Sequence, residues 1–200
     1  MKIDFNLFNA FDPSEPIASL FGNLPHWRQA GTRYFVTFRT ADSLPREKLQ
    51  QWLDERTAWL RANPQPLSVG QKREYWERFL ARFQYWIDQA HGACVLARAD
   101  LRRIVENALL HFDVSRYELS EFIVMPNHVH AIITPLGENE VSSIVHSWKS
   151  FTANKINALL QQNGAFWQKE SFDHIVRSAA SLEGFRQYIR ENPKNMAAKK

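Results

Sequence analysis

The sequence predicts an α+β fold, a mainly antiparallel four-stranded sheet of the ferredoxin-like kind with helices on one face and a helical insertion. Four short segments dense in β-branched and aromatic residues read as strands: Arg33 to Thr40, Tyr117 to Val124, His128 to Thr134 and Phe172 to Arg177. Stretches of helical periodicity lie between them. Only Met125-Pro126-Asn127 separates the second and third strands, so those two form a hairpin, with Pro126 unable to donate to a central ladder.

Taken in order, residues 1–27 carry Pro13, Pro16 and Pro25 among scattered phenylalanines and read as an arm laid on a core. The main domain spans 28–193. After the first strand, Pro45 opens a helix with Leu49, Trp52, Leu53 and Leu60 at helical spacing, broken by Asn63-Pro64-Gln65-Pro66 and Gly70. A helical insertion over about 67–112 follows. Its first block carries Trp76, Phe79, Leu80, Phe83, Trp86 and Ile87 on one face, and its second carries Leu101, Ile104, Val105, Ala108, Leu109 and Phe112. Beyond the hairpin, Val141 to Gln162 is a long helix with Val141, Ile144, Val145, Trp148, Ile156 and Leu159 inward, ended by Gly164. The last helix runs from Ser181, an N-cap residue type, to Asn192, where Pro193 disfavours continuation; 194–200 is a basic tail.

The composition supports a folded chain: 200 residues with 44% hydrophobic content can bury a core. Its formal charge is +4, and from Lys149 onward nine Lys and Arg stand against four Asp and Glu, so the surplus gathers near the C-terminus, as suits a polyanionic partner. The lone Cys94 excludes an internal disulfide and a thiolate zinc site. No run approaches the ~20 apolar residues of a membrane span. The expectation is a soluble, cytoplasmic protein with no membrane partner.

The chemistry centres on Asn127-His128-Val129-His130. Strand side chains alternate, so His128 and His130 share a face and can clamp one metal ion. Tyr188 and Asn192 stand one helical turn apart and also share a face, which lets one metal and one phosphate meet both. An Asn192 amide oxygen completes a facial set with the two imidazoles. The phenol of a tyrosine, with a pKa near 10, needs a cation or base to help it lose its proton. Together these residues suggest metal-assisted attack by Tyr188 on a phosphodiester. The plainer alternatives are two half-exposed histidines on a sheet face and an Asn192 that merely ends a helix. The other tyrosines, Tyr34, Tyr75, Tyr85 and Tyr117, lie in apolar runs and read as packing residues.

The segment Met125-Pro126-Asn127-His128-Val129-His130-Ala131-Ile132-Ile133, the downstream Phe166-Trp167-Gln168 with Phe172 to Arg177, and Tyr188-Ile189-Arg190-Glu191-Asn192-Pro193 together resemble the single-tyrosine HUH transposases. Within them the chain most resembles the REP-associated tyrosine transposases, also through Tyr34 to Arg39 and Ala41 to Pro45. The resemblance spans about residues 25 to 193. It implies a nuclease that cuts and joins single-stranded DNA near hairpins of REP-type repeats, with Tyr188 forming a 5′-phosphotyrosine link. His128, His130 and Asn192 would be ligands of a divalent metal, Mg2+ or Mn2+, and the protein a monomer. The tail departs from the family pattern by stopping soon after Pro193.

Candidate phosphate partners are Arg33, Arg39, Lys149, Lys155, Arg186 and Arg190; Trp27 and Trp167, in loop-like sequence, are candidate base contacts. A histidine-triad hydrolase is disfavoured because Ile132 stands where its third histidine belongs. A domesticated hairpin-binding protein without turnover is the non-enzymatic alternative.

Overall fold

The computed structural model describes residues 32–64, 66–169, 171–176 and 178–197. The expected arm with Trp27, the side chains of Trp76 and Leu80, Arg177 and the last three residues of the tail lie outside the described residues.

The chain runs β1 (Arg33–Arg39), α1 (Arg46–Ala62), α2 (Val69–Tyr75), a π-helical stretch (Trp76–Ala81), α3 (Arg82–Ile87), a 3-10 turn (Val95–Ala97) and α4 (Ala99–His111). It continues through β2 (Tyr117–Val124), β3 (His128–Pro135), α5 (Val141–Leu160), β4 (Phe172–Val176) and α6 (Ala179–Ala197). The four strands form one sheet in the order β2-β3-β1-β4, each neighbouring pair antiparallel. That is the expected ferredoxin-like arrangement.

β1 and β3 are the inner strands, so both of their faces are covered. Val36, Phe38, Val129, Ala131 and Ile133 share a core with Leu101, Val105 and Leu109 of α4 and Ile144, Val145 and Trp148 of α5. Phe35 and Ile132 point the other way, onto Leu182, Phe185, Tyr188 and Ile189 of α6. Each large apolar side chain sealed this way contributes about 1.5–3 kcal/mol. Helices on one face therefore describes α4 and α5 only; α6 occupies the opposite face, because Leu182, Phe185 and Ile189 recur at helical spacing and match the second set of alternating strand residues.

The helical excursion has a core of its own, built from Trp52, Trp59, Tyr75, Phe79, Phe83 and Ile87 of α1 to α3. α4, placed in the insertion by the sequence reading, belongs instead to the sheet's main core. Gly70, expected to break the chain, lies in the first turn of α2.

Other boundaries shift for local reasons. α5 stops at Leu160 because Gln161 adopts the left-handed conformation (φ 51°), ahead of Gly164. Leu159, expected inward, is 59% exposed. α6 begins at Ala179, with the Ser178 hydroxyl oxygen accepting the Ser181 N–H at 3.0 Å, so Ser178 rather than Ser181 caps it. The helix also continues past Pro193 to Ala197. A proline withholds one amide donor, and here the backbone stays helical around that single gap.

Candidate active site

His128 and His130 lie at the start of β3, opposite Arg39 and Thr37 of β1, on the face covered by α6. Both imidazoles are fully buried, since their strand is flanked on each side and capped above. The rings stand 4.6 Å apart, 72° to one another. Each is held from behind through Nδ1: His128 by the Asn127 side-chain oxygen at 2.7 Å, His130 by the Thr37 hydroxyl at 2.8 Å. Both Nε2 atoms are thereby left facing the same space.

α6 brings Tyr188 and Asn192 to that space. Phe185 stacks on Phe35 with ring centroids 4.3 Å apart, which seats the helix on the sheet. One turn on, the Tyr188 ring meets His130 edge-on at 5.1 Å and is 3% exposed. Tyr188 is thus part of the buried face of α6. Its hydroxyl lies 3.4 Å from His130 Nε2.

The centre of the cluster is a residue the sequence reading missed. Asp88, in the turn just after α3, accepts the Tyr188 O–H (2.9 Å to Oδ2, 3.1 Å to Oδ1) and the Asn192 side-chain N–H (3.3 Å). The same carboxylate lies 3.4 Å from His128 Nε2 and 3.9 Å from His130 Nε2. No motif spacing links a lone acid at position 88 to a histidine pair 40 residues later. The one local sign is that the apolar face of its helix stops at Ile87, immediately before the acid.

Electrostatics at the cluster reflect burial and pairing. Burial alone would raise the Asp88 carboxyl, but the His128 and His130 imidazoles outweigh it and hold the group well below the usual carboxylate range. Burial pushes His130 down to about 4, against the opposing pull of Asp88. The donor set suits a divalent cation: one atom each from Asp88, His128 and His130 lie within 4.8 Å of one another. Moreover, His128 Nε2 is buried with no hydrogen-bond partner among the described residues. A nitrogen left without a partner beside a carboxylate is the arrangement a cation resolves. Asn192, expected as a third ligand, meets Asp88 through its assigned Nδ2; a half-turn of the amide brings its oxygen to the same place.

The expected phosphate partners differ in exposure and in the groups that hold them. Arg33 and Lys155 are exposed, and Lys155 lies over the Phe151 ring. The Lys149 ammonium donates to the Lys169 carbonyl at 2.7 Å. Arg39 is buried, donates to the Ser43 hydroxyl at 2.9 Å and packs over Phe83; burial lowers it to about 10. Arg186 and Arg190 are engaged with Glu121 and Glu183. Trp167 is not an exposed base platform: it is buried against Phe38, and its indole N–H donates to the Thr152 hydroxyl at 2.8 Å.

The sheet thus sets a buried histidine pair against a helix-borne tyrosine. Residues 95–192, which contain both histidines, Tyr188 and Asn192, match the family model described as Transposase IS200 like. Asp88 lies outside the matched span. A REP-associated tyrosine transposase solved bound to a REP hairpin is 15% identical to this chain; the alignment covers 88% of this chain and 74% of that one, with a TM-score of 0.44. A suspected transposase from Deinococcus radiodurans R1 is 13% identical, with 86% of this chain and 98% of that one covered and a TM-score of 0.34. No curated protein matches the chain. Among the described residues, no helix is long and apolar enough to cross a membrane.

Proposed function

We propose that this protein cuts and rejoins single-stranded DNA beside a hairpin, with Tyr188 as nucleophile and a divalent cation held by His128, His130 and Asp88. The observation that carries the reading is the convergence of the Tyr188 hydroxyl on Asp88 and His130 Nε2, at 2.9 and 3.4 Å. The match of residues 95–192 to the IS200-like transposase model and the resemblance of the chain's motifs to REP-associated enzymes support DNA as the substrate and a hairpin as its mark.

Attack by the Tyr188 oxygen on phosphorus forms one P–O bond while the bond to the 3′ oxygen breaks. The 5′ phosphate stays on the tyrosine and the strand leaves with a 3′ hydroxyl. One phosphodiester is exchanged for another, so the step reverses onto a different 3′ end. Asp88 is placed to take the phenolic proton, and Asn192 to keep that carboxylate oriented. A bound Mg2+ or Mn2+ supplies a Lewis acid that offsets charge growing on the non-bridging phosphate oxygens. Arg33 and Lys155, both exposed, contribute phosphate contacts along the strand. A cytoplasmic, monomeric enzyme is part of the proposal on the strength of the motif resemblance alone.

The test is incubation with an end-labelled single-stranded hairpin oligonucleotide and Mn2+, followed by denaturing electrophoresis and mass spectrometry of the adduct. An adduct on Tyr188, absent in Tyr188→Phe, is the expected result. Tight hairpin binding without an adduct across several hairpins would make the protein a DNA-binding module instead.

A further inference from the structure

We propose that Asn127 is the positioning residue of this site: its side-chain amide joins the loop following Asp88 to the His128 ring and fixes which ring nitrogen faces the carboxylate. The proposal rests on the reading of His128 and Asp88 as cation ligands.

The amide is fully buried and both of its ends are used. Its Nδ2 donates to the His91 carbonyl at 2.8 Å, and its oxygen faces His128 Nδ1 at 2.7 Å. A backbone carbonyl only accepts, so the NH2 end must face His91 and the oxygen must face the ring. An oxygen at that distance requires a proton on His128 Nδ1. Nε2 is then the nitrogen turned to Asp88, 3.4 Å from its Oδ1. Thr37 does not do the same for His130, because a hydroxyl both donates and accepts and leaves either tautomer satisfied.

The other end of the amide sets the position of the acid. His91 follows Asp88 by three residues, and the loop between them is drawn onto the sheet. The Ala93 N–H donates to the Asp42 carboxylate at 2.7 Å. Gly92, at φ +89°, lies so close that an added Cβ would meet the Asp42 carbonyl oxygen at 2.6 Å. The Asn127 backbone carbonyl accepts the Thr40 N–H at 2.8 Å, which anchors the amide's own backbone. One buried side chain thus spans two elements distant in sequence, the histidine strand and the loop after α3, so that ring and carboxylate keep one register.

The experiment uses the full chain without DNA, with Mn2+ as probe followed by electron paramagnetic resonance, and 15N spectra of the imidazoles in the metal-free protein. In the wild type His128 shows the Nδ1–H tautomer. In Asn127→Ala that signature shifts towards Nε2–H and the Mn2+ dissociation constant rises about 10–100-fold, the usual cost of losing a residue that orients a ligand, while the far-ultraviolet circular dichroism is unchanged. Asn127→Asp retains the acceptor for the ring and loses the donor to His91; it keeps the Nδ1–H signature yet binds Mn2+ more weakly. An Nε2–H tautomer in the wild type, or wild-type Mn2+ affinity in both variants, overturns the proposal. If Asn127→Ala does not fold, the wild-type and Asn127→Asp spectra decide it. A wild type that binds no Mn2+ sinks the metal reading, and the tautomer signature then still tests the role of Asn127.

Discussion

The Tyr188 hydroxyl and the Asp88 carboxylate, 100 positions apart in the chain, meet at 2.9 Å. This contact joins the tyrosine helix to the end of the helical excursion, so the excursion contributes to the site itself. Asp88→Asn keeps the shape and removes both the proton acceptor and the charged ligand for the cation. Its single-turnover rate of adduct formation should fall by about 10²–10⁴, with hairpin binding retained. A rate within a few-fold of the wild type would remove Asp88 from the reaction.

The two oxygen-bearing candidates for the cation can be ranked. Asp88 lies near both imidazoles, whereas Asn192 reaches the cluster through Asp88. Asp88→Ala should therefore abolish measurable Mn2+ binding, while Asn192→Ala weakens it about 10-fold, as expected for a group that orients a ligand. Titration calorimetry of both variants decides the order. Greater damage from Asn192→Ala would make the amide the primary ligand.

The buried histidine sets a pH dependence. Burial lowers His130 to about 4 from an ordinary value near 6.5, so between those limits the unfolded chain binds more protons than the folded one. Stability therefore rises with pH across that window and is lost as pH falls from about 6.5 towards 4. Asp88 acts in the same direction at lower pH: its carboxyl is held down in the folded state, so its contribution is present above about 3.8 and lost on further acidification. Urea midpoints measured from pH 7 to 4.5 should fall, and fall less in His130→Gln. Identical slopes in the two proteins would contradict a buried, uncharged His130.

Strands and histidines were legible because both follow from period two: the alternation that sends Val129 and Ala131 to the α4 and α5 core sends His128 and His130 to the α6 face. The tyrosine helix was legible from the spacing of Leu182, Phe185 and Ile189, and its far end was not, because Pro193 lies within a helix that tolerates one missing donor. Leu159 and Trp167 were misplaced for opposite reasons. A periodic apolar residue still ends up in water when nothing packs over it, and an aromatic in loop-like sequence is buried when a loop crosses a sheet edge, as Trp167 does beside Phe38. Asp88 had no sequence signal at all. Its place depends on how the separate core of α1 to α3 folds back on the sheet, which no local pattern encodes.

Arg186 and Arg190 carry charge beside the site, yet much of it is neutralised. Glu121, in the stretch of β2 where the register with β3 shifts between Leu119 and Phe122, lies 3.3 Å from Arg186 Nε and 3.7 Å from Arg190 Nη1. A phosphate approaching these guanidinium groups must displace a carboxylate that already holds them. The ion pairs are worth little in themselves, because the arginine side chains are 34% and 54% exposed and solvent screens them. Glu121→Gln combined with Glu183→Gln, which also removes the second carboxylate paired with both arginines, should therefore leave thermal stability nearly unchanged while freeing both arginines. Hairpin affinity at low salt should rise several-fold, and the salt dependence should steepen by up to about 0.9 log units per freed contact. Fluorescence anisotropy over a potassium chloride series measures both quantities. An unchanged affinity and slope would place the DNA path away from Arg186 and Arg190, along Arg33 and Lys155.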